Sequence, residues 1–135
     1  MSQDADARYG LELDVLDEDK LSFRLNRIRH RGPVLTDFEA LRQKADAVVD
    51  NITYLDDRLR LVEQDEVQQA ILLRSETPLT PAEGVEYLEV RLTQDGVSEI
   101  GNRRYNREHT ETTPGDMVLS HRQLERLGQD LQQLK

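Results

Sequence analysis

Two runs of alternating apolar and polar residues open the chain. Residues 11–15 and 21–25 each place an apolar side chain at every second position, and the charged cluster at 17–20 lies between them. Alternation with a period of two is typical of strands that bury one face. We therefore predict an N-terminal β-hairpin that ends at residues 32–33, preceded by a disordered tail over residues 1–8.

The next segment has the spacing of one long amphipathic helix over residues 37–63. Thr36 and Glu39 fit a capping box, in which the side chain of each residue accepts the backbone N–H of the other. No glycine or proline follows until Pro78, and apolar residues recur at intervals of three or four. This apolar stripe consists of Phe38, Leu41, Ala45, Val48, Ile52, Leu55, Leu59 and Val62.

A helix of this length predicts contacts beyond its own sheet. About 27 helical residues span about 40 Å, whereas typical strands are about 17–20 Å long, so part of the apolar stripe needs a second partner. We predict a homodimer through this stripe. The charges beside it favour an antiparallel pair, because Arg42 would then face Glu63 and Lys44 would face Asp65. The alternative is a monomer in which the helix is wholly buried on its own sheet.

The second half of the chain predicts three or four further strands and a final helix. Residues 67–75 suit either a strand or a helix, and a strand is favoured because three successive apolar residues occupy the middle of the segment. Residues 85–93 alternate between apolar and polar side chains, as a strand does. A capping box formed by Ser120 and Gln123 then begins a C-terminal amphipathic helix.

The turn at residues 94–96 sets the register of the hairpin around it. A three-residue loop places Ile100 beside Val90, which keeps one face apolar, and it also pairs Arg91 with Glu99. A two-residue loop would mix apolar and charged side chains on both faces. We therefore predict the three-residue loop.

Together these elements predict an α+β fold in a single domain over residues 9–135. The sheet is mainly antiparallel, because strands joined by short turns pair in this way. It consists of the N-terminal hairpin plus three or four later strands. One long central helix and a C-terminal helix pack on it.

The composition narrows the classes of partner and compartment. The chain has 27 acidic and 18 basic side chains, for a formal net charge of −9. A nucleic-acid partner is therefore not expected, because phosphate contacts need Lys and Arg. No apolar run approaches the roughly 20 residues of a membrane-spanning helix, and the polar N-terminus lacks the pattern of a signal peptide. We therefore expect an acidic, cytoplasmic protein without a membrane segment.

The sequence contains no catalytic or cofactor-binding motif. It has no cysteine, which excludes disulfides and thiolate-ligated metals. Its histidines, His30, His109 and His121, are far apart and do not match the spacing of zinc ligands. Phosphate-binding loops and nucleophile elbows are also absent. We therefore expect no cofactor, no metal and no enzymatic activity, although an active site assembled from scattered residues would escape a single sequence.

Two basic stretches, at residues 24–31 and 102–109, interrupt the acidic chain. In the predicted register, arginines and tyrosines of neighbouring strands share one face of the sheet, where such residues can stack on bases or hold phosphates. This candidate anion- or nucleic-acid-binding face consists of Tyr87, Arg91, Arg103, Tyr105 and Arg107. The competing interpretation is a solvated face whose arginines pair with carboxylates such as Glu89 and Glu99, and a third option is a groove for an acidic peptide or a small anion.

These observations lead to three hypotheses of function, in order of preference. The first is a non-enzymatic binding or adaptor protein that binds a protein partner and self-associates through helix 37–63. The alternative is an RNA- or anion-binding module that uses the arginine and tyrosine face, and the third is an enzyme whose site the sequence does not reveal. A continuous positive patch joining Arg29 to Arg104 would favour the alternative, whereas isolated arginines bridged to carboxylates would favour the first.

Overall fold

The structure is a computed structural model of the chain and describes residues 6–77, 84–106 and 112–134. Nine strands and two helices lie within these residues. In chain order they are β1 (Asp6–Arg8), β2 (Leu11–Glu18), β3 (Ser22–Arg31), α1 (Phe38–Asn51), β4 (Leu59–Asp65), β5 (Ala70–Ser75), β6 (Gly84–Thr93), β7 (Val97–Asn106), β8 (Thr112–Gly115), β9 (Met117–Ser120) and α2 (His121–Gln133).

The described strands form one antiparallel sheet, in the order β1-β2-β3-β7-β6-β5-β4. Most neighbours follow one another in the chain, such as β2 with β3 and β6 with β7. The contact of β3 with β7 is different, because it pairs Ile28 with Ile100 across a long stretch of sequence. This pairing joins the N-terminal strands to the later four-stranded part of the sheet.

The sheet splits beyond the contact of β3 with β7, and the segment 112–120 fills the split. β8 continues along β7, where Gly115 pairs with Asn102, and β9 pairs with β3. The chain turns between these strands at Asp116, whose backbone carbonyl accepts a hydrogen bond from Asn102 Nδ2 at 2.8 Å. β3 and β7 therefore diverge around a corner of the chain.

Both helices contribute to the single hydrophobic core on one face of the sheet. α1 packs against β4, β5 and β6, and α2 packs against β3 and β9. Leu88, Val90 and Leu92, at every second position of β6, are buried on this face. Burying one large aliphatic side chain contributes about 1.5–3 kcal/mol, so this face supplies much of the stability of the fold. No helix of the described residues covers the opposite face.

The structure contradicts the predicted helix over residues 37–63. α1 ends at Asn51, and β4 begins at Leu59. Residues 51–57 are Asn, Ile, Thr, Tyr, Leu, Asp and Asp, and most of these types have low helix propensity because they lose side-chain freedom or compete for backbone hydrogen bonds. The predicted fold class was therefore wrong. The fold is a mainly antiparallel sheet with one short helix and a C-terminal helix, and no long central helix occurs in the described residues.

The apolar stripe that predicted a dimer is divided between α1, a loop and β4. Five of its members are buried in the core of their own chain: Leu41, Ala45, Val48, Ile52 and Leu59. The other three are half-buried: Phe38, Leu55 and Val62. Lys44, which was expected to face Asp65 of a second copy, is only 3% exposed. The long helix that was predicted to mediate self-association does not form in the described residues, and the homodimer itself stays a prediction.

Two predictions about the later strands are confirmed. β6 and β7 pair Val90 with Ile100 and Arg91 with Glu99, as the three-residue loop required. The segment that suited a strand or a helix contains strand β5. These two results determine which side chains of β5, β6 and β7 lie on each face of the sheet.

The two predicted helix caps have different outcomes. Ser120 and Gln123 form the predicted capping box at the start of α2. The cap of α1 is Asp37 and not Thr36, because the Asp37 carboxylate accepts the Ala40 N–H at 2.8 Å. Asp and Thr are both common capping residues, so the sequence pattern alone did not separate these neighbours.

The structure tests the predicted N-terminal tail and the predicted absence of a membrane segment only within the described residues. Residues 1–5 of the predicted tail lie outside the described residues, and Asp6–Arg8 forms β1 beside β2. Neither helix of the described residues has the length and apolar content needed to cross a membrane. The organisation as a single domain stays a prediction.

Candidate functional site

The open face of the sheet is the face opposite the core. Side chains of a strand alternate between the two faces, so the neighbours of the buried Leu88 and Val90 in β6 lie on the open face. The open-face residues of the central strands are Tyr87, Glu89 and Arg91 of β6 and Glu99, Gly101, Arg103 and Tyr105 of β7.

A groove with a volume of about 570 Å³ lies on the open face where β3, β7 and β8 meet. Gly101 is one of its lining residues, and the Asn26 carbonyl approaches it so closely that an added Cβ would lie only 3.3 Å from Asn26 O. Ligand pockets typically measure about 300–1,000 Å³, so the groove has the size of a binding site. Its charged lining consists of Arg27, Arg91, Arg103, Asp14, Glu89 and Glu99.

Arg27 is held by two of the carboxylates in the groove. Its Nε donates to Asp14 Oδ2 at 3.0 Å, and its Nη1 donates to Glu99 Oε1 at 3.4 Å. Arg29 extends this network. Its Nη2 lies 3.5 Å from Glu99 Oε2, and its Nη1 lies 3.8 Å from Glu12 Oε2. Exposed pairs of this kind contribute at most about 1 kcal/mol each, but together they balance charges of the first basic stretch.

Arg74 of β5 binds Glu89 and both tyrosines of the open face. Its Nε donates to Glu89 Oε2 at 2.9 Å, and its Nη2 donates to Tyr105 Oη at 2.8 Å. The Tyr105 hydroxyl donates in turn to Glu89 Oε2. The guanidinium carbon of Arg74 lies 4.8 Å from the ring centroid of Tyr87 and 5.1 Å from that of Tyr105, where cation–π attraction operates. The Glu89 charge is therefore balanced, and both rings are engaged by Arg74.

Burial and the Glu89 carboxylate shift the pKa values of this cluster. Burial raises the pKa of Tyr105, and its hydrogen bond to Glu89 raises it further. Burial alone would lower the pKa of Arg74, but the hydrogen bond and charge of Glu89 outweigh burial and raise it. Both groups therefore keep their protons, and Glu89 accepts hydrogen bonds from both.

Arg91 and Arg103 differ from the other arginine of the groove. Both are exposed, and neither has a carboxylate within 4.0 Å or a side-chain hydrogen bond among residues 6–77, 84–106 and 112–134. Although Arg91 is paired with Glu99 across the strands, that carboxylate bonds to Arg27. The groove therefore presents two arginines without an ionic partner in the described part of the chain.

The strand register separates these two arginines. Arg103 lies opposite Tyr87, and Arg91 lies opposite Glu99, so the two are offset by four residues along the strands. At about 3.4 Å per residue this offset is about 14 Å. Side chains stand roughly perpendicular to a sheet, so the two arginines rise from the open face at separate positions along the strands.

The structure brings together four of the five residues predicted for the anion-binding face. Tyr87, Arg91, Arg103 and Tyr105 lie on the open face, and Arg107 lies outside the described residues. Their role in binding stays a prediction. Sequence reasoning missed Arg74, because its segment suited both a strand and a helix. Once the segment is a strand, Arg74 pairs with Glu89, which was the signal that could have found it.

Arg104 projects from the opposite face of the sheet. Its Nη2 donates to Glu86 Oε1 at 3.2 Å, and Asn102 Nδ2 donates to Glu86 Oε2 at 3.1 Å. Since Arg29 bonds to open-face carboxylates, Arg29 and Arg104 lie on opposite faces. No continuous positive patch joins them in the described residues, and both are bridged to carboxylates.

A second polar cluster lies on the core face of the sheet. His30, Lys44 and Ser98 are 4%, 3% and 0% exposed, and His30 Nδ1 and Ser98 Oγ have no hydrogen-bond partner among the described residues. Burial lowers the pKa of His30, a hydrogen bond with Gln132 opposes this, and the charge of Lys44 lowers it further. Burial also lowers the pKa of Lys44. These effects favour a neutral imidazole, and no group of three His, Asp or Glu side chains in the described residues is placed to hold a metal ion.

Comparison with known proteins gives one distant likeness. No family model matches the chain, and no curated protein matches it. The crystal structure of a DUF4468 family protein from Bacteroides ovatus ATCC 8483 aligns with 15% sequence identity and a TM-score of 0.35. The alignment covers 75% of this chain and 64% of that protein. A likeness this distant supports no conclusion about function.

Proposed function

We propose that the protein is a non-enzymatic binding protein that holds an anionic ligand in the groove of the open face. The observation that carries this proposal is that Arg91 and Arg103 line the groove without an ionic partner among the described residues. In a chain with a net charge of −9, nearby carboxylates would ordinarily balance such side chains. Here those carboxylates bond to other arginines, so Arg91 and Arg103 are available to a ligand.

The carboxylates of the groove support binding rather than catalysis. Asp14 and Glu99 are bridged to Arg27, and Glu89 is bridged to Arg74. A general base must be free to take a proton from its substrate, but each of these carboxylates is held by a guanidinium group. The groove therefore offers groups that orient a ligand, and its acidic groups serve to position arginines.

The proposed ligand is not a second copy bound through α1, because the apolar stripe is buried in the core of its own chain. A protein partner fits the proposal, since Asp and Glu side chains carry the required negative charge. The proposed location is the cytoplasm. A chain without cysteine forms no disulfides and therefore does not need an oxidising compartment.

The proposal is tested by measuring the affinity of anionic probes by fluorescence anisotropy. The probes are a labelled glutamate-rich peptide and a labelled uridine oligonucleotide, with inorganic pyrophosphate as an unlabelled competitor. The variant Arg91→Gln/Arg103→Gln removes both unpaired charges of the groove. The control Arg58→Gln/Arg122→Gln removes the same charge from two exposed arginines that have no ion pair in the described residues and lie outside the groove.

We expect at least one probe to bind the wild-type protein and the control equally well. The groove variant should bind that probe at least about tenfold more weakly, because a hydrogen bond to a charged group contributes about 1.5–3 kcal/mol and each 1.4 kcal/mol is tenfold in affinity. The proposal is contradicted if no anionic probe binds, or if the groove variant binds as tightly as the control.

A further inference from the structure

The space between Arg91 and Arg103 limits the ligands that can contact both. One row of the sheet lies midway between them, where Gly101 pairs with Glu89. The Glu89 carboxylate occupies this row and already accepts hydrogen bonds from Arg74 and Tyr105. A third negative group at this position would meet the Glu89 carboxylate, while the neighbouring guanidinium group of Arg74 is already bound to Glu89 and Tyr105. The groove therefore fits two separate negative charges with an uncharged group between them.

This charge pattern does not fit a polynucleotide. A nucleic-acid backbone carries a negative charge at every nucleotide, so an intervening phosphate would lie near Glu89. Binding of single strands also relies on bases that stack on aromatic rings. Here Arg74 lies within 5.1 Å of the ring centroids of both Tyr87 and Tyr105. Neither ring offers the free face that a base needs on the Arg74 side.

A single small anion does not fit the pattern either. The two arginines are offset by about 14 Å along the strands, and phosphate or a lone carboxylate is much smaller than this distance. Such an anion would use one arginine and leave the other without a partner. The groove matches a longer ligand whose charges are spaced along a chain.

We propose that the groove binds an extended segment of an acidic protein partner, with Asp or Glu at two positions four residues apart and an uncharged residue midway between them. This inference rests on the proposed function and names its ligand. In an extended chain, residues i and i+4 lie on the same side about 14 Å apart, which matches the offset of Arg91 and Arg103. The residue at i+2 then lies over the row in which Gly101 pairs with Glu89, where an uncharged side chain avoids the Glu89 carboxylate.

The inference is tested with three labelled peptides of nine residues on the same uncharged background. The first carries two glutamates four residues apart, and the second carries them three residues apart, so that they point to opposite sides of an extended chain. The third adds a glutamate midway between the two of the first peptide. A uridine oligonucleotide serves as the nucleic-acid probe. Affinities are measured for the wild-type protein, Arg91→Gln, Arg103→Gln and the control Arg122→Gln.

We expect the first peptide to bind at least about fivefold more tightly than the second and the third, because only the first places a charge at each arginine and none at Glu89. Arg91→Gln and Arg103→Gln should each weaken its binding by a similar factor, and Arg122→Gln should leave it unchanged. Equal affinity of the first and second peptides overturns the inference, and so does tighter binding of the oligonucleotide through the same two arginines.

The outcomes also separate this inference from the proposed function. If all three peptides bind equally well, or the oligonucleotide binds more tightly than the first peptide, and this binding weakens in the Arg91 and Arg103 variants, the groove binds anions but the named ligand is wrong. If neither arginine affects the binding of any probe, both proposals are wrong.

Discussion

The ion pair between Arg74 and Glu89 balances the carboxylate that lies between Arg91 and Arg103, and Arg74→Met breaks this pair with an uncharged, unbranched side chain. The closest N–O distance is 2.7 Å, and the side chains are 19% and 14% exposed. Exposed pairs contribute at most about 1 kcal/mol, whereas breaking a buried pair costs about 3–5 kcal/mol because one charge stays buried alone. The low exposure places this pair between the two limits, at about 2 kcal/mol.

Arg74 also lies over the rings of Tyr87 and Tyr105, which adds about 0.5–1 kcal/mol of cation–π attraction. We therefore expect Arg74→Met to lower the free energy of unfolding by about 3 kcal/mol. Urea unfolding followed by circular dichroism measures this change. With a slope of about 2 kcal/mol per molar urea, the midpoint should fall by about 1.5 M. The control Arg60→Met replaces an exposed neighbour that has no ion pair in the described residues, and it should change stability by less than about 0.5 kcal/mol.

A double-mutant cycle isolates the pair itself. The cycle compares Arg74→Met, Glu89→Gln and the double variant, and the free energies of the two single changes should exceed that of the double change by about 2 kcal/mol. Additive effects within about 0.5 kcal/mol would refute the reasoning, because Glu89 would then not be balanced by Arg74. The charge pattern inferred for the ligand would lose its basis at the same time.

Three further predictions concern the rest of the fold. Lys44→Met should raise the free energy of unfolding by about 1–2 kcal/mol, because it removes a buried ammonium without an ion pair in the described residues; a urea titration that shows a loss would contradict this. Burial lowers the pKa of His30 below 6.5 in the folded protein, so the contribution of His30 to stability is full above pH 6.5 and is lost as the pH falls below that value. The melting temperature measured between pH 7 and 5 should therefore depend less on pH in His30→Gln than in the wild-type protein. An equal pH dependence in the two proteins would contradict this role of His30. Gly96→Ala should cost about 2 kcal/mol or more in a urea titration, because φ is 95° and an added Cβ would clash with Gly32 O. Gly10→Ala, with φ of 78° and no atom near the added Cβ, measures the backbone strain alone, and an equal cost at both positions would contradict the clash.

The parts of the fold that could be predicted depend on local sequence. The register around Gly96 follows from the alternation on either side of one turn, and the start of α2 follows from Ser120 and Gln123. The end of α1 was missed because apolar residues continue at helical spacing as far as Leu59, and the same residues also suit the core face of a strand. The low helix propensity of residues 51–57 was the local signal against a continuous helix.

The candidate site could be predicted less well, because it depends on contacts between distant parts of the chain. Arg27 lies beside Glu99, 72 residues later, only because β3 pairs with β7. Neither composition nor periodicity indicates this order of strands. The sequence therefore predicted the face shared by Arg91 and Arg103, but it did not reveal which arginines the carboxylates of that face would hold.

Binding of an anionic ligand by Arg91 and Arg103 is tested most directly by the salt dependence of one affinity. The measurement is the dissociation constant of the peptide with two glutamates four residues apart, for the wild-type protein and for Arg91→Gln/Arg103→Gln. Between about 0.01 and 0.15 M salt the Debye length falls from about 30 to about 8 Å, so we predict that wild-type affinity falls strongly over this range. The double variant should bind weakly at every salt concentration. Equal affinity and equal salt dependence in the two proteins would contradict the proposed role of these arginines.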